Sequence, residues 1–233
     1  MEAAKKRKKL DSSNTGNRKR VRAEQTDLKE KKFLREIPSN YGRKVTDGFT
    51  LEDYYALPKE WRVELIDGVF YDLAEPDLAH QGMTGALHWE LMNYMKTHKG
   101  QCLPLIAPFD VRLDRDDRTM VRPDVAVVCD RNKAGNGRCV FGAPDFIIEV
   151  LSEATRKKDL GIKLEKYRGA GVKEYWVIDL KGRRVITYDF VRQGQPCLYG
   201  LDRVVPVGIF HGECQINFSE ICECSGFLFD EKE

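Results

Sequence analysis

The chain is expected to be α/β or α+β, built around one central sheet. Three observations predict this. Short β-branched runs bounded by Pro, Gly or charge recur through its second half, a long amphipathic helix precedes them, and a second helix separates two of the strands. At 233 residues and 42% apolar content, the chain is long enough for one domain with additions and a real core.

The folded part should begin near Thr50. Thr50-Leu51-Glu52-Asp53 opens a helix with Thr50 as N-cap and an acid three residues on, and the helix should stop by Leu57-Pro58. Residues 63–71 read as a hairpin, since Asp67-Gly68 is the dipeptide a two-residue turn requires. Residues 79–98 form the best helix, with Met83, Leu87, Leu91, Met92 and Met95 on one stripe and Gly100 ending it. Strands are expected at 102–106, 109–113, 122–128 and 146–151, with a glycine-containing loop over 130–142. A helix over 159–170, closed by Gly171, precedes strands at 174–180 and 185–190. Further short β segments follow, among them the alternating Cys214 to Phe218.

The ends of the chain differ in charge. The net charge is +2, yet most of the excess base sits in the first 45 residues, as Lys5-Lys6-Arg7-Lys8-Lys9 and Arg18-Lys19-Arg20-Val21-Arg22. Residues 1–45 have few apolar side chains and read as a disordered basic tail, with the domain over 46–233. Such a tail suits a bipartite nuclear-import signal in a nucleated host, an arm along phosphates, or plain solvation. No apolar run approaches a membrane span, and no signal peptide is evident, so the expected setting is the cytoplasm. The seven scattered cysteines are then expected as reduced thiols.

Two acids in strand-like runs carry the chemistry. Asp124 stands in Arg122-Pro123-Asp124-Val125, and Glu149 in Phe146-Ile147-Ile148-Glu149-Val150-Leu151. Period two places Glu149 on a face with Ile147 and Leu151, a charge among aliphatics that needs neutralising. Either acid alone reads as one half of an ion pair: Glu149 with an Arg or Lys, Asp124 with Arg122. Together they can hold a divalent cation, whose preferred ligands are hard oxygens. Lys163, one turn before Tyr167 on the next helix, can join them.

These residues, taken with the segments around them, resemble the Uma-type restriction-endonuclease family of the PD-(D/E)XK superfamily. The matching stretches are Leu51 to Tyr54, Val63 to Gly68, His80-Gln81, Ala107 to Leu113, Arg122 to Val125, Ala143 to Ser152, Lys163 to Tyr167 and Ala170 to Asp179, in order. The resemblance spans about residues 49–221 and excludes the basic tail. It implies a restriction-endonuclease-like αβββαβ core with a mixed central sheet and extra C-terminal β segments. The implied activity is Mg²⁺- or Mn²⁺-dependent cleavage of DNA. Asp124 and Glu149 would hold the metal, and Lys163 would act beside them. The superfamily lysine two residues after the second acid is replaced here by Leu151, with Lys163 taking over and Lys166 as the fallback. Glu64 and His80 match further positions, Glu64 towards the metal shell and His80 towards the phosphate or water. Cutting both strands of a duplex would favour a homodimer.

Two other readings compete. The tail and the missing lysine at 151 also fit a non-catalytic nucleic-acid-binding module. His211, Cys214, Cys222 and Cys224 have zinc-ligand chemistry but not the usual spacing, and Cys214 continues a strand alternation. The aromatics Trp89, Tyr94, Tyr175 and Trp176 are expected to pack in the core rather than to stack bases.

Overall fold

The computed structural model describes residues 48–224, apart from 59, 135–136 and 193. The basic clusters of the N-terminal segment lie outside the described residues.

A short helix, α1 (Leu51–Ala56), opens the fold with the expected capping box between Thr50 and Asp53. The hairpin β1 (Val63–Ile66) and β2 (Val69–Asp72) turns at Asp67 and Gly68, both at positive φ as a two-residue turn requires. Helix α2 (Leu78–Thr97) is capped by Asp77, whose carboxylate accepts the His80 N–H at 2.7 Å. The left-handed residue after α2 is Lys99 rather than Gly100.

The central sheet has six strands in the order β10 (Cys197–Gly200), β9 (Arg184–Asp189), β8 (Glu174–Asp179), β7 (Phe146–Val150), β5 (Val125–Val128) and β3 (Leu103–Ile106). It is mixed: β7 and β8 run parallel, and their neighbours are antiparallel. The parallel pair follows from the helical crossover between those strands, because only antiparallel strands can be joined by a tight turn. Of the expected strand at 109–113, only β4 (Val111–Arg112) forms, paired with β6 (Val140–Phe141) inside the expected loop.

Strands β5, β7 and β8 are buried along their whole length, because both faces of the sheet are covered. On one face Phe146, Ile148, Val150 and Trp176 pack with Met83, Leu87 and Leu91 of α2. The C-terminal elements cover the same face: β11 (Val204–Pro206), β12 (Gln215–Asn217) and a helix that sequence reasoning missed (Phe218–Cys224), through Val205, Ile216, Phe218 and Ile221. On the other face Ile147, Leu151, Tyr175 and Val177 pack against Tyr167 and Val172.

The crossover helix is not uniform. It comprises α3 (Arg156–Lys158), a π turn (Asp159–Lys163) and α4 (Leu164–Ala170), closed by Gly171 at φ 93°. Ser152 and Thr155 start it reciprocally, each side chain accepting the other's backbone N–H.

Cysteine usage departs from expectation. Cys102 and Cys129 flank β3 and β5, where antiparallel pairing sets their Cα atoms 3.9 Å apart, and they form a disulfide. Tyr175 and Trp176 are buried as expected, and Tyr94 packs on Phe210. Trp89 does not pack: it is 61% exposed on the outer side of α2. No helix among the described residues is long and apolar enough to cross a membrane.

Candidate active site

The loop before β5, the end of β7 and the crossover helix enclose a cleft of about 90 Å³. Asp124, Glu149, Lys163, His80, Lys158 and Asp159 all line it. Asp124 lies just before β5 and not within it, as the end of the Pro123 segment. Its Oδ2 accepts the Val150 N–H at 2.8 Å and stands 3.2 Å from His80 Nε2. The two acids are therefore linked through the backbone residue that follows Glu149. The guanidinium of Arg122 goes to Asp110 at 2.6 Å, so the simple pairing of Asp124 with Arg122 does not form.

Glu149 is 3% exposed, and its Oε1 meets Lys163 Nζ at 2.5 Å and the Tyr167 hydroxyl at 2.7 Å. Lys163 is itself buried, with Glu64 at 2.8 Å and Asp159 at 3.7 Å completing a ring of three carboxylates. Glu64 extends from β1 into the same cluster and is fully buried. Its Oε1 also accepts the Arg122 N–H at 2.9 Å, and its Oε2 binds Lys158 at 2.6 Å.

The charges set one another's protonation. Burial opposes ionisation of Glu64, but the ammonium groups of Lys158 and Lys163 outweigh it and hold the carboxyl down to about 2, from 4.5. Burial raises Glu149 well above the usual range; Lys163 counteracts this, while Asp159, Asp124 and Glu64 add to it. Burial disfavours the charge on Lys163, yet Glu149, Glu64 and Asp159 hold its pKa well above normal. For His80, burial is overcome by the hydrogen bond and charge of Asp124, and the pKa rises.

Because Glu64 is depressed, it contributes stability that is full above 4.5 and is lost as pH falls towards 2. Urea midpoints measured down that range should drop for the native chain and drop less for Glu64→Gln.

Glu64, Asp124, Glu149 and Asp159 gather round two ammonium groups, Lys158 and Lys163, with His80 beside Asp124. The oxygen donors suit a hard divalent cation. The polar partners of Glu149 converge on Oε1 and those of Asp124 on Oδ2, which leaves the second oxygen of each acid for another ligand. Buried Asp159 Oδ1 has no hydrogen bond among the described residues, and neither has His80 Nδ1.

The model of the Uma2 family, described as "putative restriction endonuclease", matches residues 51–220. The chain belongs to the Uma2 family. No curated protein matches it. A solved structure titled as a putative nuclease from Anabaena variabilis ATCC 29413 is similar in fold. Its TM-score is 0.62 at 20% identity, over 75% of this chain and 99% of that one. The restriction-endonuclease-like fold expected from the sequence, with its mixed six-stranded sheet, is thus the fold of this Uma2 chain.

All five residues singled out in the sequence of this Uma2 member lie in or directly behind one cleft. Lys166, the fallback, does not join them; it binds Asp67 at 2.7 Å and Asp114 at 2.5 Å. Lys158 and Asp159 were missed. Among the described residues, Asp67, Asp114 and Asp116 form the one group of three or more His, Cys, Asp or Glu with metal-ligand spacing, and His211, Cys214, Cys222 and Cys224 do not come together as one. Burial pushes the Cys214 thiol up to about 12, as befits a packed thiol just before β12.

Proposed function

We propose that the chain is a Mg²⁺- or Mn²⁺-dependent endonuclease that hydrolyses DNA phosphodiester bonds in this cleft. The observation that carries the reading is the convergence of Asp124, Glu149 and Lys163 on one cavity, with an oxygen of each acid left over. Uma2 membership supports the nuclease chemistry.

Asp124 and Glu149 would hold the metal. Two carboxylates suit Mg²⁺, which keeps several waters and takes its remaining ligands from substrate phosphate. Once bound, the ion supplies a polarised phosphoryl oxygen and a water of lowered pKa. The chain's own groups do the rest. Lys163 keeps Glu149 oriented and neutralises the buried acids behind the site. His80 donates from Nε2 to Asp124, and because its Nδ1 is buried, its part is to orient that carboxylate. Glu64 ties both lysines to β1 and has no oxygen free for a metal, so its role is positioning.

Incubating the purified chain with circular DNA and Mg²⁺, Mn²⁺ or EDTA, beside Glu149→Ala, tests the reading. Nicked or linear DNA should appear with metal alone and be missing with the variant. Equal cleavage in EDTA, or by the variant, would remove the assignment.

Tyr167→Phe removes the hydroxyl that donates to Glu149. It should weaken Mn²⁺ binding by roughly 10–100-fold, the usual effect of losing a group that supports a ligand. Calorimetric titration with Mn²⁺ measures this, and an unchanged affinity would argue against Glu149 as ligand. Because the pKa of Glu149 is raised, the same affinity should increase with pH as its proton leaves.

A further inference from the structure

The proposed site contains two lysines in different situations, and only one of them was foreseen. Lys163 is 1% exposed, bound to Glu149 and Glu64 and 3.7 Å from Asp159. Meeting a substrate would require it to abandon buried acids. Lys158 lines the same cleft, its side chain is 9% exposed, and its ion pair is with Glu64 Oε2. An ammonium group has three donors. One held by a single carboxylate at the cleft wall is anchored and still has donors to offer an anion.

The helix geometry is what makes the pair possible. Five residues along a regular α-helix amount to about 140° of rotation beyond a full turn, which would put residues 158 and 163 on different faces. The π turn over Asp159–Lys163 adds a residue to that turn and brings both side chains round to Glu64. Glu64 in turn is fixed by the Arg122 N–H and by burial in the β1 hairpin, so the position of Lys158 is set by the core and not by solvent.

We infer that Lys158 is the phosphate-binding side chain of this cleft, that Glu64 positions it, and that Lys163 is confined to neutralising the buried acids. The ligand class is a phosphodiester anion. The inference rests on the phosphodiesterase reading for its biological meaning, but it concerns binding and can be tested apart from hydrolysis.

The test uses the full chain in EDTA, with thymidylyl-(3′→5′)-thymidine as a one-phosphodiester probe, followed by calorimetry. The native chain should bind it. Lys158→Met should weaken binding about tenfold or more, the scale of a lost charge-assisted hydrogen bond. Lys158→Arg should restore most of the affinity. Mn²⁺ affinity of Lys158→Met should stay close to native, since the ion pair of Lys158 is with Glu64 and not with Asp124 or Glu149, and the melting temperature lost by unpairing buried Glu64 should return in Lys158→Arg. A native chain that ignores the dinucleotide, a methionine variant that binds it normally, or a methionine variant that loses Mn²⁺ affinity in parallel would each overturn the assignment. If Lys158→Met loses binding while the native chain cuts no DNA with any metal, the phosphate site stands and the nuclease reading falls.

Discussion

Lys163→Met is expected to cost about 3–5 kcal/mol of folding stability, because removing one partner of a buried ion pair strands the other charge. The effect should be large here since a single ammonium group faces Glu149, Glu64 and Asp159, all nearly or fully inaccessible to water. Methionine fills a similar volume, so lost charge rather than a cavity is what the variant reports. The deficit should shrink on acidification. Once Glu149 and Glu64 are protonated, neither needs a cation, and the native chain has lost the contribution of its depressed Glu64 as pH falls from 4.5 towards 2. Urea denaturation of both proteins across pH measures this. A deficit under about 1 kcal/mol, the range of exposed pairs, would show that water screens the cluster.

Asp124→Asn should reduce metal-dependent cleavage by more than about 100-fold, beyond the 10–100-fold typical of groups that only support a ligand. Asparagine keeps the size of the side chain and still presents an oxygen to the Val150 N–H. What it removes is the charge, and with it the affinity for a hard cation. A second readout separates this from misfolding. The pKa of His80 is raised against burial mainly by Asp124, so in the variant it should fall, as NMR titration of the imidazole would record. Cleavage near the native rate, with the His80 shift observed, would show that Asp124 orients the histidine but holds no metal.

Much of this site was legible along the chain because its signals are local. A two-residue period put Glu149 on an aliphatic face, and the folded chain puts it there, beside Ile147 and Leu151. Asp67-Gly68 announced the hairpin that carries Glu64. The ordered run of segments around Asp124, Glu149 and Lys163 pointed to one family, and the family match covers the same stretch.

The errors also have local causes. Arg122-Pro123-Asp124 reads as strand, yet Asp124 stops short of β5 and turns its carboxylate onto the Val150 N–H. Trp89 was read as core because it lies in the helix that faces the core, but it sits on the outer side of α2. Lys158 went unnoticed because the helix was expected to start at Asp159, one residue after it, and nothing in the residues announces a π turn. The cysteines at 102 and 129 are far apart in sequence and meet only through the pairing of β3 with β5.

The residue order by itself determined the α/β class and the positions of the main strands and helices, since these follow from spacing over a few neighbouring residues, while the resemblance to one family singled out the acids and the lysine as candidates. Only the tertiary structure decided how their charges are shared. It assigned Arg122 to Asp110 rather than Asp124, ringed Lys163 with three carboxylates, and drew Lys158 onto Glu64. Burial makes the lysine pairings obligatory, and burial is a property of packed elements distant in sequence, which no local pattern records.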